Sequence, residues 1–164
     1  MVSTSEVARV ILVGVGATAV MDVWAAILKG LGVPMLNYAL VGRWVGHLSR
    51  GRFAHASIAK AAPIRGEAPL GWVVHYAVGV AFSALLAGMY GTAWLHGPGL
   101  RPALMVGVAT VVIPLFVMQP AMGAGIAASR TPTPIRNCLR SFATHAVFGC
   151  GLYASAVIFK QVWP

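Results

Sequence analysis

Acidic side chains are nearly missing from this 164-residue chain: three Asp and Glu stand against twelve Lys and Arg, and charged residues of both signs make up only 9% of it. A soluble domain usually carries about 25% charge, so a water-facing surface cannot be assembled here. Only two cysteines are present, which excludes a secreted disulfide scaffold. Cys138 and Cys150 sit about 18 Å apart along one predicted helix and cannot bond to each other. No polar low-complexity tract supports disorder, and no Gly-x-Ser-x-Gly, Cys-x-x-Cys or His-Glu-x-x-His points to catalysis. What is abundant is apolar: 59% hydrophobic residues, with 19 Gly and 10 Pro. The expectation is an all-α integral membrane protein, folded as one domain over 1–164.

A bilayer core about 30 Å thick needs about 20 apolar residues per helix, and four segments supply them, at about 7–28, 70–95, 102–128 and 139–159. Pro114 and Pro120 should kink the third or break its far end into a separate turn. Trp72, Trp94 and Trp163 stand near span ends, where amphipathic rings favour the headgroup level. Ala17-Thr18-Ala19 has the form of a signal-peptide cleavage site, but the apolar stretch runs on through Val23 to Leu28, so a retained helix is expected. The net charge of +9 invites a nucleic-acid reading. That reading is set aside, because the basic residues fall between apolar runs. Lys29, Arg43, Arg50, Arg52, Lys60, Arg65, Arg130, Arg136 and Arg140 lie on one side of the spans, and Arg9, Arg101 and Lys160 on the other. Positive residues stay in the cytoplasm, so both termini are expected outside.

The long inner connection carries Leu40, Val41, Trp44, Val45 and Leu48 at helical spacing, predicting an interfacial amphipathic helix within about 36–52. A helix packed under the bundle is the alternative. Arg50, Arg52 and the other inner-loop cations suit anionic headgroups. The chain also resembles itself. Pro63-Ile64-Arg65 precedes His75-x-x-x-Gly79, Pro134-Ile135-Arg136 precedes His145-x-x-x-Gly149, and Val13-Gly14-Val15 matches Val106-Gly107-Val108. Two parallel helix-hairpin repeats, related by an axis along the membrane normal, are expected.

Ionisable residues inside a span cost about 2.5 to 3.5 kcal/mol on insertion scales, so their default reading is functional. Asp22, His75, Gln119 and His145 are expected at similar depth in the inner half of the bilayer. Gly71, His75, Gly79, Ser83 and Ala87 step by four, as do Ser141, His145, Gly149 and Tyr153, and Gly14, Thr18, Asp22 and Ala26. Small residues at this spacing let helices approach, so these faces should point inward. Structural glue between helices is the alternative to an active role. His47, His55 and His96 fall in connections and are expected to be solvated.

Met21-Asp22-x-Trp24, Leu36-Asn37-Tyr38 with Gly42-Arg43-Trp44-x-Gly46-His47, Gly51-Arg52-Phe53-x-His55-x-Ser57-Ile58, Leu70-Gly71-Trp72-x-x-His75-Tyr76, and Met118-Gln119-Pro120 leading to Gly125-Ile126-Ala127-Ala128-Ser129-Arg130-Thr131-Pro132 together resemble a bacterial membrane family known as domain of unknown function 2938. The resemblance covers nearly the whole chain. It implies a small multi-pass protein of the bacterial inner membrane and supplies no activity. Three functions compete. One is transport or permeation of protons or a small solute along Asp22, His75, Gln119 and His145, with a homodimer enclosing the path. Another is a haem or metal site on His75 and His145, with Asp22 as a further metal ligand, where Gly79 and Gly149 leave room and Arg136 and Arg140 face propionates. The third is a non-catalytic accessory or scaffold subunit that uses the interfacial segment.

Overall fold

A computed structural model describes residues 3–162, all of them in helices and connections, with no strand among them. Trp163 lies outside the described residues. The helices are α1 (Thr4–Gly30), α2 (Tyr38–Leu48), α3 (Glu67–Tyr90), the short α4 (Ala93–His96), α5 (Leu100–Ala109), α6 (Gln119–Met122) and α7 (Pro134–Val162). Among the described residues, four stretches are long and apolar enough to cross a membrane: Thr4–Gly30, Glu67–Tyr90, Leu100–Met122 and Pro134–Val162.

Local chemistry sets the ends. Ser3 and Glu6 form a reciprocal capping box at the start of α1. The second span stops at Tyr90 rather than near 95, because Gly91 takes a left-handed backbone (φ +78°) that ends the helix. Trp94 then falls in α4, where it is buried and donates its Nε1 hydrogen to the Gly99 carbonyl at 3.2 Å. The expected headgroup position for Trp94 is thus replaced by a core position. The fourth span begins earlier than expected, at Pro134, whose fixed φ and missing N–H suit a first helical position. The third is broken as its prolines require: α5 ends at Ala109, a π-helical turn occupies Pro114–Met118, and α6 follows.

The chain divides into two compact units, and α3 and α7 contribute residues to both. The first contains the described residues up to Pro34, Tyr76–Thr110, and those from Ala143 onward. Its core joins Val13 and Ala17 to Leu86, Trp94, Leu95, Val106, Phe148 and Leu152. Close approach depends on glycine. A Cβ on Gly14 would stand 2.6 Å from Val80 Cα, and one on Gly107 would stand 2.5 Å from Gly149 Cα. α1 is inverted relative to a soluble helix: its buried residues are Arg9, Val13, Gly14, Ala17 and Thr18, while Val7, Ile11, Val15, Val20, Val23 and Ile27 are exposed. Large aliphatics outward and small residues inward is the pattern that lipid solvation favours.

The second unit comprises Met35–His75 and Val111–Phe142. Here α2 packs directly on the first turns of α3, because a Cβ on Gly42 would strike the Glu67 carbonyl and one on Gly71 the Tyr38 carbonyl. Arg43 ties the connection together. Its Nε and Nη2 donate to Glu67 at 2.8 Å each, and Nη1 reaches the carbonyls of Ile58, Ala59 and Ala61 at 3.1 to 3.3 Å. After α6, Gly123 (φ +97°) reverses the chain, and Ala127 and Ala128 sit at φ 49° and 59°. A side chain in that region costs about 1–2 kcal/mol. The Cys138 thiol donating to the Ala127 carbonyl at 3.1 Å and the Thr131 hydroxyl donating to that of Ala128 at 2.7 Å hold this turn.

Candidate functional site

The helix faces expected to point inward largely do. Gly14 and Thr18 are buried on α1, Gly71, Gly79, Ser83 and Ala87 on α3, and His145 and Gly149 on α7; Ala26, at the end of the α1 series, is exposed. Within the first unit, Tyr76 donates its hydroxyl hydrogen to the Asp22 carboxylate at 2.9 Å. His145 is buried, with its Nδ1 at 3.0 Å from the Thr110 hydroxyl and 3.2 Å from the Gly107 carbonyl. Thr110 itself donates to that carbonyl at 2.6 Å. A carbonyl only accepts, so this network assigns the ring hydrogen to Nδ1 and leaves Nε2 as the basic nitrogen.

Within the second unit, His75 stacks on Tyr38 with ring centroids 4.3 Å apart, and its Nε2 is 3.0 Å from the Tyr38 hydroxyl. Trp72, one turn earlier on α3, meets the His75 ring edge-on at 5.9 Å. Asn37 positions Tyr38 by capping α2, its side chain accepting from the Ala39 N–H at 2.9 Å. Gln119 follows the π-helical turn, and its Oε1 is buried without a hydrogen-bond partner. Irregular backbone of this kind is tolerated at membrane depth where it is enclosed by protein or lines a cavity.

Each titratable member of the expected cluster therefore has a hydroxyl partner. The sequence reading missed all three. Tyr38 and Tyr76 stand within the motifs quoted for the family and Thr110 outside them, but nothing in a linear pattern pairs Tyr38 with His75. A second departure concerns the loop histidines. His96 is exposed as expected, whereas His47 and His55 are buried, with relative exposures of 4% and 6%, and are bonded to each other at 2.7 Å. The connection folds back on α2 instead of facing solvent, which is why their expected solvation fails.

The glycines expected to leave room for a haem do not. The space beside Gly79 is filled by Thr18 and the Gly14 carbonyl, and that beside Gly149 by Ala103 and Leu104. Among the described residues, no three His, Cys, Asp or Glu side chains gather as a metal site. Arg50, Arg52, Arg65, Arg130 and Arg136 are exposed and Arg140 half-buried, all in the second unit. The one acidic residue of that unit, Glu67, is committed to Arg43, a bond that raises the guanidinium's affinity for its proton.

A family model described as protein of unknown function (DUF2938) matches residues 11–159. The chain belongs to this family. No curated protein and no solved structure matches it. The match spans every motif quoted above for the DUF2938 family, with Asp22, His75, Gln119 and the loop carrying His47 and His55, and it also takes in the His145 position. A DUF2938 assignment states no activity, so function rests on the residues themselves.

Proposed function

We propose that this DUF2938 protein moves protons, or a small polar solute, across a bacterial inner membrane, with Asp22, His75, Gln119 and His145 handling the cargo. The observation that carries the reading is the pairing of each titratable group with a hydroxyl: Asp22 with Tyr76, His75 with Tyr38, His145 with Thr110. A hydroxyl both donates and accepts, so it passes a proton on where a purely structural partner would only hold one. His75 and Tyr76 are neighbours in the chain, which places two such pairs on consecutive residues of α3. Intramembrane Asp and His serve as relays in pumps and transporters.

The orientation with both termini outside and the basic loops inside rests on the charge asymmetry, and anionic headgroups are the partners those exposed arginines suit. The paired repeats draw support from equivalent contacts, since Gly14 lies against Gly79 and Val80 as Gly107 lies against Gly149. Four spans are few for alternating access, so a homodimer is part of the proposal. Reconstitution in liposomes under an imposed pH gradient, read with an entrapped pH dye, tests it. Wild type should dissipate the gradient and Asp22→Asn should not; equal rates in the two, or no flux in wild type, would overturn it.

A further inference from the structure

His47 closes α2, and His55 lies in the segment that returns beneath it; His47 Nδ1 and His55 Nε2 are 2.7 Å apart. The surroundings fix which nitrogen carries hydrogen. His47 Nε2 is 3.0 Å from the Ala62 carbonyl, which can only accept, so Nε2 bears the hydrogen and Nδ1 of the neutral ring is a lone pair. His55 must then donate from Nε2, which leaves its own Nδ1 as an acceptor. That atom is buried and has no partner.

We infer that His47 and His55 form an acid-sensing site whose ligand is the proton, and that proton uptake releases the 49–57 segment from α2 and α6. The site has no good place for an added proton. On His47 Nδ1 it turns the acceptor that holds His55 into a donor, and the pair stays bonded only if His55 moves its own hydrogen to the buried Nδ1, where nothing receives it. On His55 Nδ1 it creates a buried cationic N–H with nothing to receive it. One nearby group, the Glu67 carboxylate, eases a charge on His47, and none eases one on His55. Arg52, on the segment itself, opposes the charge; Arg43 on α2 and Glu67 on α3 are bonded to each other; α6 has no charged side chain and offers the Ala121 carbonyl, already taken by the His55 N–H at 2.8 Å. Burial, Arg52 and His47 accordingly hold the His55 imidazole below its ordinary value. A metal between the rings would need a third donor, and among the described residues no group of three ligating side chains exists.

Release has a mechanical consequence. The segment is seated on the broken end of the third span, where a Cβ on Gly123 would strike the Ala56 carbonyl and would lie 2.9 Å from that of His55. Letting go of His47 therefore leaves the Trp44 Nε1 bond to the Phe53 carbonyl as the side-chain tie between α2 and the backbone that braces α6, the helix that begins with Gln119, and loosens that backbone. The sign follows from the lowered affinity. The clasp is fully in force above about pH 6.5, the value of a free imidazole, and weakens as pH falls below it.

Hydrogen exchange of the full chain in phosphatidylcholine nanodiscs, at about pH 7.5 and about pH 5 and corrected for chemical exchange rates, tests this. If one imidazole is freed to titrate normally, opening of residues 50–57 increases about 30-fold at the lower pH. Residues 146–156 of α7 serve as the reference and should not change. The double variant His47→Gln, His55→Gln removes the titration and should bring the ratio to about one. An acid effect below about threefold in wild type, or one retained by the double variant, would refute the site. Nitrogen chemical shifts of the wild-type imidazoles give a readout that needs no variant. The His55 ring should be neutral with hydrogen on Nε2 at about pH 7.5, and an imidazolium there would equally refute the site. The readout is segment opening, not flux, so it stands or falls apart from the transport reading.

Discussion

Gly107→Ala is the sharpest probe of how the first unit is packed. The added methyl would lie 2.5 Å from Gly149 Cα, 2.7 Å from Gly149 N and 2.9 Å from the His145 carbonyl, all backbone atoms that cannot rotate away. Carbon atoms rest at about 3.5–4.0 Å, so α5 and α7 must part by about 1 Å. Overpacking of this kind costs about 1–3 kcal/mol. The same displacement stretches the 3.0 Å contact between Thr110 and His145 beyond hydrogen-bonding range, adding about 0.5–1.5 kcal/mol. The expected loss is thus about 1.5–4.5 kcal/mol, or tenfold or more in the unfolding equilibrium. Equilibrium unfolding in mixed micelles measures it, with Gly88→Ala as the control. A Cβ on Gly88 meets nothing within 4 Å, so that variant should be neutral or slightly more stable. If Gly107→Ala unfolds within about 0.5 kcal/mol of Gly88→Ala, the close approach of α5 to α7 is wrong.

Two further outcomes follow from the packing. Leu152→Ala empties a fully buried position in the first unit and should cost about 2–5 kcal/mol in the same assay, whereas truncating the exposed Val23 should cost far less. Arg43→Lys keeps the charge but loses the two-pronged bond to Glu67 and the three carbonyl contacts. Limited proteolysis should then cut within 58–66 faster than in wild type, because a lysine cannot reproduce that fork.

The spans were legible because length and apolarity suffice to define them. Small residues at four-residue spacing also revealed the inward faces, since close helix contact leaves that trace in a sequence. The breaks in the third span could be read from Pro114 and Pro120, but the left-handed turn at Ala127 and Ala128 could not, because alanine carries no signal for that conformation. The site was half visible. Asp22, His75 and His145 stand out as polar residues in apolar runs, whereas Tyr38, Tyr76 and Thr110 are unremarkable in composition and acquire a role only through pairing across distant segments. His47 and His55 were misplaced for a related reason: a polar loop in a membrane protein reads as solvated until Arg43, through Glu67 and three carbonyls, is seen to fold it back on α2.

The claim that hydroxyl-paired titratable groups carry the cargo is tested most directly by removing only the hydroxyls. Tyr38→Phe with Tyr76→Phe deletes two oxygen atoms, keeps both rings in place, and takes away the hydroxyls bonded to His75 and Asp22. Initial proton flux measured by stopped flow in matched liposomes should fall about tenfold or more, with thermal stability lowered by no more than two lost hydrogen bonds. Wild-type flux in the double variant would contradict the account.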